Sequence, residues 1–169
     1  MAITLYAASV PVLKQMLTSV STILRRAEDH AVAKNIDPQA LLQARLYPDM
    51  FPLLRQVQIS CDFARGIAAR LAGLEVPKHP DTEQTFAELQ ALLEETLAFV
   101  DTIKPEQIDG NEAREIVTRP GTPKEKKFTA QSYLLSYGLP QFFFHVTTTY
   151  AILRHNGLEI GKRDYMGAY

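Results

Sequence analysis

The sequence predicts an all-α protein that folds as a four-helix bundle, with a small β-hairpin between the third and fourth long helices. Four segments carry apolar residues at alternating spacings of three and four, the periodicity of amphipathic helices that pack together. Proline and glycine residues stand near the ends of these segments, where helices begin and stop. A chain of 169 residues has the commonest size of one domain, so we expect residues 1–169 to form a single domain.

The composition argues against several classes of function. Apolar residues make up 46% of the chain and charged residues 22%, which is ordinary for a globular protein. Eighteen Lys and Arg stand against 19 Asp and Glu, without a long basic run, so we expect no nucleic-acid partner. The sequence has no apolar stretch of about 20 residues, and the N-terminus lacks a signal-peptide pattern. We therefore expect a cytoplasmic protein with no membrane partner.

The first long helix is predicted from residue 9 to about residue 35. Ser9 is suited to the N-cap, and Pro11 falls in the first turn, where its missing N–H costs nothing. A short helix is predicted within residues 37–45. The apolar seam of the first helix is Leu13, Leu17, Val20, Leu24, Ala27 and Ala31.

The second long helix is predicted from Asp49, as its N-cap, to Gly73, a natural residue to follow a helix end. Its seam is Met50, Leu54, Val57, Cys61, Ala64, Ala68 and Leu71. Because Cys61 lies in this seam, we interpret it as a small core residue rather than a reactive thiol. As the single cysteine of the chain, it has no internal disulfide partner.

The third long helix is predicted to begin after Asp81, which with Gln84 resembles a capping box. Its seam is Phe86, Leu89, Leu93, Thr96, Val100 and Ile103. The helical pattern then stops, with Gly110, Pro120 and Pro123 as breakers. Residues 115–119 and 126–129 are predicted to pair as a β-hairpin across the turn at 120–124.

The fourth long helix is predicted from about residue 140 to 155, after a short helix at 130–136. Its seam is Leu139, Phe143, Val146, Tyr150 and Leu153. Phe142, Tyr133 and Tyr137 fall outside the seams, so we expect them to be exposed and available to a second copy of the chain.

Polar residues beside the seams mark a candidate site. Gln58 and Asp62 share one face of the second helix, and Gln141, His145 and Thr149 form a similar ladder on the fourth. Bundles build their metal and ligand sites from such inward-facing groups. In one interpretation, His145 and a second-helix polar group converge on a water, a metal or a small molecule. In the other, His145 is a structural residue that donates to a carbonyl oxygen.

The chain resembles a known family at residues 46–50, 56–58, 140–157 and 161–165. These segments read LYPDM, QVQ, PQFFFHVTTTYAILRHNG and GKRDY, and residues 144–165 are the most specific part. The chain is similar to DUF1993, a domain-of-unknown-function family that is a bacterial branch of the DinB/YfiT-like superfamily. The resemblance covers most of the chain.

The resemblance implies a four-helix bundle, commonly dimeric, whose better-known members hold a divalent metal through three histidines. One of these lies on helix two and two lie on helix four, and some members are thiol-dependent transferases or hydrolases. Matching the Leu153-Arg154 pair places His145 on the second helix-four histidine and Gln141 on the first. No histidine occurs in residues 46–73, so Gln58 or Asp62 would have to serve on helix two.

Our first functional hypothesis is a protein that binds a small molecule or carries a degenerate metal site near His145. A divalent metal would then bind at low occupancy, and we expect no other cofactor. The alternative is a metal-dependent transferase or hydrolase acting on a small thiol or amide. A second alternative is a structural or regulatory dimer, and in each case we expect a homodimer.

Overall fold

The computed structural model describes residues 3–169, in which four long helices alternate with short helices and one hairpin. The long helices are α1 (Val10–Lys34), α3 (Leu53–Ala72), α4 (Phe86–Asp101) and α7 (Leu139–His155). The short helices are α2 (Pro38–Leu42), α5 (Pro105–Ile108), α6 (Ala130–Tyr133) and α8 (Lys162–Met166). Within the described residues, no helix is both long enough and apolar enough to cross a membrane.

The four long helices form the predicted bundle. Helix α3 packs most extensively against α7 and also contacts α4, which in turn packs on α1. The interior is filled by the seams, with Leu17 and Leu24 of α1 and Leu89 and Leu93 of α4 fully enclosed. Each such side chain contributes about 1.5–3 kcal/mol when it leaves water. The prediction of an all-α bundle with a small hairpin is confirmed.

Helix α3 begins three residues later than predicted. Its N-cap is Pro52, whereas Asp49 lies in an exposed turn and Met50 is half-buried outside the core. The cause is Pro52, because a proline disfavours helical geometry at the residue before it, here Phe51. The prediction of Asp49 as the N-cap was therefore wrong, while the end at Gly73 is confirmed, with a left-handed φ of 72°.

The capping box of α4 also differs from the prediction. Thr85 is the N-cap, its hydroxyl accepts from the Glu88 N–H at 3.2 Å, and Glu88 accepts from the Thr85 N–H at 2.9 Å. Asp81 lies earlier in the loop, with a left-handed φ of 52° and an ion pair to Arg55. Asp81 with Gln84 and Thr85 with Glu88 both match the capping-box spacing. The second pair forms the cap because it directly precedes the apolar residues of the helix.

The hairpin is confirmed. Strands β1 (Glu115–Thr118) and β2 (Lys126–Thr129) pair antiparallel, with Ile116 opposite Phe128. Arg119, which was predicted to belong to the first strand, lies beyond it with a left-handed φ of 51°. From β2 the chain passes through α6 and a π-helical turn, Leu134–Gly138, directly into α7.

The buried stripe of α7 is rotated relative to the predicted seam. Phe142 is fully buried and Phe143 and Tyr150 are half-buried, while Thr148 and Thr149 are buried. The threonines enter the core because their hydroxyls donate to the carbonyl oxygens of Phe144 and His145, one turn earlier. Tyr133 is also fully buried and Tyr137 is half-buried, so the expectation that these aromatic residues are exposed was wrong for Phe142 and Tyr133.

Candidate functional site

Helices α3 and α7 leave one strip of their contact uncovered, and the hairpin closes one end of it. We call this strip the α3–α7 groove. Two adjoining cavities make up its hairpin end, and they are lined by Asp62, Phe63 and Arg70 of α3, Tyr137 of the π-helical turn, Gln141 of α7, and Thr118 and Arg119 of the hairpin. Beyond these cavities we include half-buried Arg55 of α3 and His145 of α7. The α3 members recur at helical spacing, so they lie on one face of that helix.

The protonation pattern of His145 is fixed by a chain of hydrogen bonds. The backbone carbonyl of Phe51 accepts from the Gln56 side-chain N–H at 3.1 Å, which sets the orientation of that amide. The Gln56 oxygen Oε1 then faces His145 Nδ1 at 2.7 Å. Because an amide oxygen only accepts, Nδ1 must carry the proton and donate it. The other ring nitrogen, Nε2, is left with a lone pair.

The Nε2 atom of His145 is available to a ligand. Within the described chain it has no hydrogen-bond partner, and it is not among the buried unsatisfied atoms, so solvent reaches it. The ring stacks on Phe63 at 5.8 Å and meets the edge of Phe144 at 5.1 Å. Burial, with a smaller contribution from the positive charge of Arg55, lowers the pKa of His145 to about 4. The imidazole is therefore neutral at physiological pH.

Two further predicted site residues lie along the same groove. Gln141 is one turn from His145, donates weakly to the Tyr137 carbonyl at 3.4 Å, and lines a cleft of about 670 Å³ beside the hairpin. Asp62 lines an adjoining cavity of about 180 Å³ and accepts from Arg65 at 2.6 Å. Burial, together with the charge of Asp81, raises the pKa of Asp62.

The other two predicted site residues, Thr149 and Gln58, form no hydrogen bond with the imidazole of His145. Thr149 is buried and bonds back to the His145 carbonyl, a structural contact within α7. Gln58 is buried and donates to Glu83 at 2.8 Å, while its oxygen accepts from Arg55 at 3.1 Å. The α3 partner of His145 is Gln56, which the sequence analysis did not select, although Gln56 lies within the segment that carried the resemblance.

A second polar cluster was missed by sequence reasoning. In the loop between α3 and α4, His79 Nε2 donates to Glu83 Oε1 at 2.5 Å. Glu83 also holds Gln58, and Asp81 accepts from Arg55 at 2.5 Å. We call these five residues the loop cluster. Prolines on both sides of His79 suggested a solvated loop, and the signal that could have found the pair is the spacing of four between His79 and Glu83.

Cys61 lies in the core, as its seam position predicted. Its side chain is fully buried, and burial raises the pKa of the thiol to about 12, although a hydrogen bond with Thr96 opposes that shift. A thiol of this kind is almost wholly protonated at neutral pH. Cys61 is therefore unsuited to nucleophilic chemistry.

A cavity larger than those of the groove lies away from His145. It measures about 920 Å³, lies between α1 and the C-terminal segment, and is bordered by Lys14 and Asp164. Lys14 pairs with Asp101, and Asp164 pairs with Arg26 at 2.5 Å. Lys14 and Asp164 therefore already have partners, whereas the α3–α7 groove holds an imidazole nitrogen without one among the described residues.

The residues of the groove do not fit the three-histidine metal site that the resemblance implies. In the part of the chain that the structure describes, no group of three His, Cys, Asp or Glu side chains is placed to hold an ion. His145 is one of the three imidazoles that such a site needs. Gln141 stands at the matched position on α7, α3 contains no histidine, and neutral amides are poor ligands for zinc.

A bundle of four helices, with a hairpin before the last and a polar groove between α3 and α7, defines the class of DinB-like helical bundles. The model of the family described as "Domain of unknown function (DUF1993)" matches residues 5–166. The chain therefore belongs to the DUF1993 family.

A solved structure supports the same assignment. The chain is similar to a crystal structure described as a DinB family member protein from Shewanella denitrificans. The two chains are 38% identical, the match covers 98% of this chain and 93% of that chain, and the TM-score is 0.91. No curated protein matches the chain. The comparisons thus define the fold and the family, and the groove chemistry is the basis for any functional argument.

Proposed function

We propose that this protein binds a small organic molecule in the α3–α7 groove, with His145 Nε2 as the hydrogen-bond acceptor at its centre. The observation that carries the proposal is the chain from the Phe51 carbonyl through Gln56 to His145. That chain orients a neutral imidazole with its lone pair toward solvent. A histidine kept only for packing would also need a partner for its Nδ1–H, but its second nitrogen would not have to face solvent.

The surroundings of Nε2 indicate which ligands fit. Phe63 and Phe144 flank the imidazole, so an apolar ring beside it is favoured. The lone pair requires an N–H or O–H donor on that ring. Since the pKa of His145 is about 4, the acceptor stays available at neutral pH. The site therefore suits a flat molecule with a donor group, such as an aromatic amide or a phenol.

Benzamide and N,N-dimethylbenzamide test this proposal, because they differ by the N–H donors. Saturation-transfer NMR on the native protein should detect benzamide and show at least about tenfold weaker binding of the dimethyl analogue, since an unpaired acceptor penalises the latter. His145→Phe keeps a ring against Phe63 and should abolish the discrimination. His155→Ala, an exposed position on the same helix, is the matched control and should not change it. Equal binding of both amides by the wild-type protein would overturn the proposal.

We further propose that the metal site of this groove is degenerate. A single imidazole with water and a carboxylate holds a divalent ion weakly. Elemental analysis of the purified, dialysed protein should find well under one metal per chain. Stoichiometric zinc, nickel or iron would instead favour the alternative, a metal-dependent transferase or hydrolase acting on a small thiol or amide.

We also propose that the chain forms a homodimer. The support is the resemblance, together with exposed apolar side chains at Leu46, Tyr47, Phe51 and Phe144 in place of the aromatic residues first considered. Light scattering behind a sizing column should give about twice the chain mass of 19.0 kDa. A monomer at micromolar concentration would contradict this proposal.

A further inference from the structure

The hairpin end of the α3–α7 groove is surrounded by positive charge. The cleft of about 670 Å³ and the adjoining cavity of about 180 Å³ share two residues, Arg119 and Tyr137. The cations that line them come from α3, from the end of β1 and from the hairpin turn and β2. They are Arg70, Arg119, Lys124 and Lys126.

These four cations lack carboxylate partners. None of them forms an ion pair with a carboxylate of residues 3–169. Asp62, the carboxylate that borders the smaller cavity, is paired with Arg65 at 2.6 Å. Glu125, next to the lysines in sequence, accepts from the Gly121 N–H at 2.7 Å in the turn. In a chain of net charge −1, four such cations around one cleft concentrate a local positive potential.

Arg119 is held in a conformation that an arginine rarely adopts. Its φ is 51°, in the left-handed region that residues with a Cβ disfavour. A glycine with φ of 71° stands two residues later, at Gly121, so glycine is already used in this turn where the backbone needs it. An arginine kept in such a conformation at the edge of a cleft is typical of a functional position.

Arg70 is preorganised on the opposite wall. Its Nη1 donates to the Tyr133 hydroxyl at 3.2 Å, and its guanidinium carbon lies 5.9 Å from the centre of the Tyr133 ring. Gly66, one turn earlier, leaves room for it, because a Cβ there would lie 2.5 Å from Nη1. A guanidinium has five N–H donors in a planar fork, so those not used by Tyr133 remain for an anion.

Aromatic rings connect this end of the groove with His145. Tyr137 lies 6.4 Å from Phe63, and Phe63 stacks on His145 at 5.8 Å. Tyr137 and His145 are two turns apart, which corresponds to about 12 Å along a helix. An apolar body of roughly that length can therefore rest on the rings between the cations and the imidazole.

We propose that the hairpin end of the groove binds the anionic group, a carboxylate or a phosphate, of a small molecule whose body lies on Phe63 and Tyr137. This inference rests on the proposed function and names the class of its ligand. The cluster of Arg70, Arg119, Lys124 and Lys126 holds the anion, while His145 accepts a hydrogen bond from the other end of the same molecule.

Titration of the ¹⁵N-labelled protein tests this inference with three probes. Benzoate and phenyl phosphate carry the two kinds of anion, and benzamide is the uncharged isostere of benzoate. Both anions should shift the amide signals of Arg119, Lys124 and Gln141 and bind at least about five times more tightly there than benzamide. Raising the salt from 50 to 500 mM should weaken both anions and leave benzamide unchanged, because screening acts on charge. The tighter of the two anions identifies the source as a carboxylate or a phosphate.

Arg119→Asn is the decisive variant, because asparagine tolerates a left-handed backbone and the fold is retained. It should weaken both anions about tenfold, whereas Lys78→Asn, at an exposed loop cation, should not. Unchanged anion affinity in Arg119→Asn, or shifts confined to other surfaces, would overturn the inference.

Failure of this inference is distinguishable from failure of the proposed function. Anion binding that is lost in Arg119→Asn but unaffected by His145→Phe, with no discrimination between the amides, would support the cationic site and reject the role of His145. If the protein distinguishes the two amides through His145 but binds the anions no more tightly than benzamide, the role of His145 is supported and the cationic site is rejected.

Discussion

Two histidines, one linked to helix α3 through a carboxylate and one bonded to that helix directly, show how a partner decides what an imidazole can do. In the loop cluster, His79 faces a carboxylate, Glu83, which is itself buried and held by Gln58. In the α3–α7 groove, His145 faces an amide, Gln56, and its second nitrogen remains open. Gln56 and Gln58 are two positions apart, about 200° around the helix, so each serves a different cluster.

The two clusters therefore differ in whether their imidazole is available to a ligand. The hydrogen bonds that Glu83 accepts from His79 and from Gln58 tie the loop to α3. An imidazole beside an amide stays neutral and keeps one lone pair for an outside donor. The loop cluster is therefore closed on itself, whereas the groove offers chemistry to a ligand. Substitutions in each cluster and NMR measurements of His145 can test this comparison.

The largest effect is expected for Glu83→Ala in the loop cluster. The change leaves half-buried His79 and buried Gln58 without their shared acceptor, and we expect the free energy of unfolding to fall by about 2–4 kcal/mol. Urea denaturation measures it. Glu95→Ala, an exposed carboxylate 3.9 Å from His79 Nδ1, is the matched control and should cost less than about 0.5 kcal/mol. Benzamide binding should survive both changes, and its loss in Glu83→Ala would show that the two clusters are coupled.

A smaller effect on stability, but a larger one on binding, is expected at Gln56. Gln56→Ala removes the acceptor of His145 Nδ1–H, and we expect a loss of about 1–2 kcal/mol together with the loss of benzamide discrimination. Gln56→Glu places a carboxylate against the same nitrogen, which favours the charged imidazole and raises the pKa of His145. NMR titration of His145 measures that shift. A pKa of His145 that is no higher in Gln56→Glu than in the wild-type protein would contradict the account.

Much of the fold followed from the sequence because its signals are local and repeated. The seams of α1 and α4, Gly73 after α3 and the hairpin at 115–129 all depend on patterns within one or two turns. The predicted start of α3 failed where a single residue, Pro52, overrode a good N-cap at Asp49. The stripe of α7 was misplaced because threonines count as polar in a pattern, although backbone hydrogen bonds let them be buried.

The site was harder to predict than the fold. His145 and Gln141 could be selected from the sequence because both are polar residues beside the apolar stripe of the predicted fourth helix. Whether Gln56 or Gln58 faces His145 depends on how α3 is rotated about its axis relative to α7. No local sequence pattern specifies that rotation. The cationic cluster at the hairpin could not be predicted from the sequence either, because Arg119 and Lys126 come near Arg70 only in the folded chain.

A third expected effect on stability is a dependence on pH. The pKa of His145 is about 4 in the folded protein against 6.5 ordinarily, so the unfolded chain takes up this proton first as the pH falls. Its contribution to the free energy of unfolding is complete above pH 6.5 and is lost between pH 6.5 and about 4. For Glu83, hydrogen bonds from His79 and Gln58 outweigh burial and lower the pKa from 4.5, so its contribution is lost only at lower pH. Denaturation from pH 7 to 5 should therefore show a shallower decline in His145→Phe than in the wild-type protein, and equal declines would refute this assignment.

The most direct test of the central claim is the protonation pattern of His145, read from long-range ¹H–¹⁵N correlations of the imidazole rings. The account predicts a neutral ring at pH 7 with the proton on Nδ1 and none on Nε2, and no titration until the pH approaches 4. Addition of benzamide should then shift the Nε2 signal and leave the Nδ1 signal nearly unchanged. A proton on Nε2, or a midpoint near 6.5, would contradict the claim that Gln56 prepares His145 to accept a hydrogen bond from a ligand.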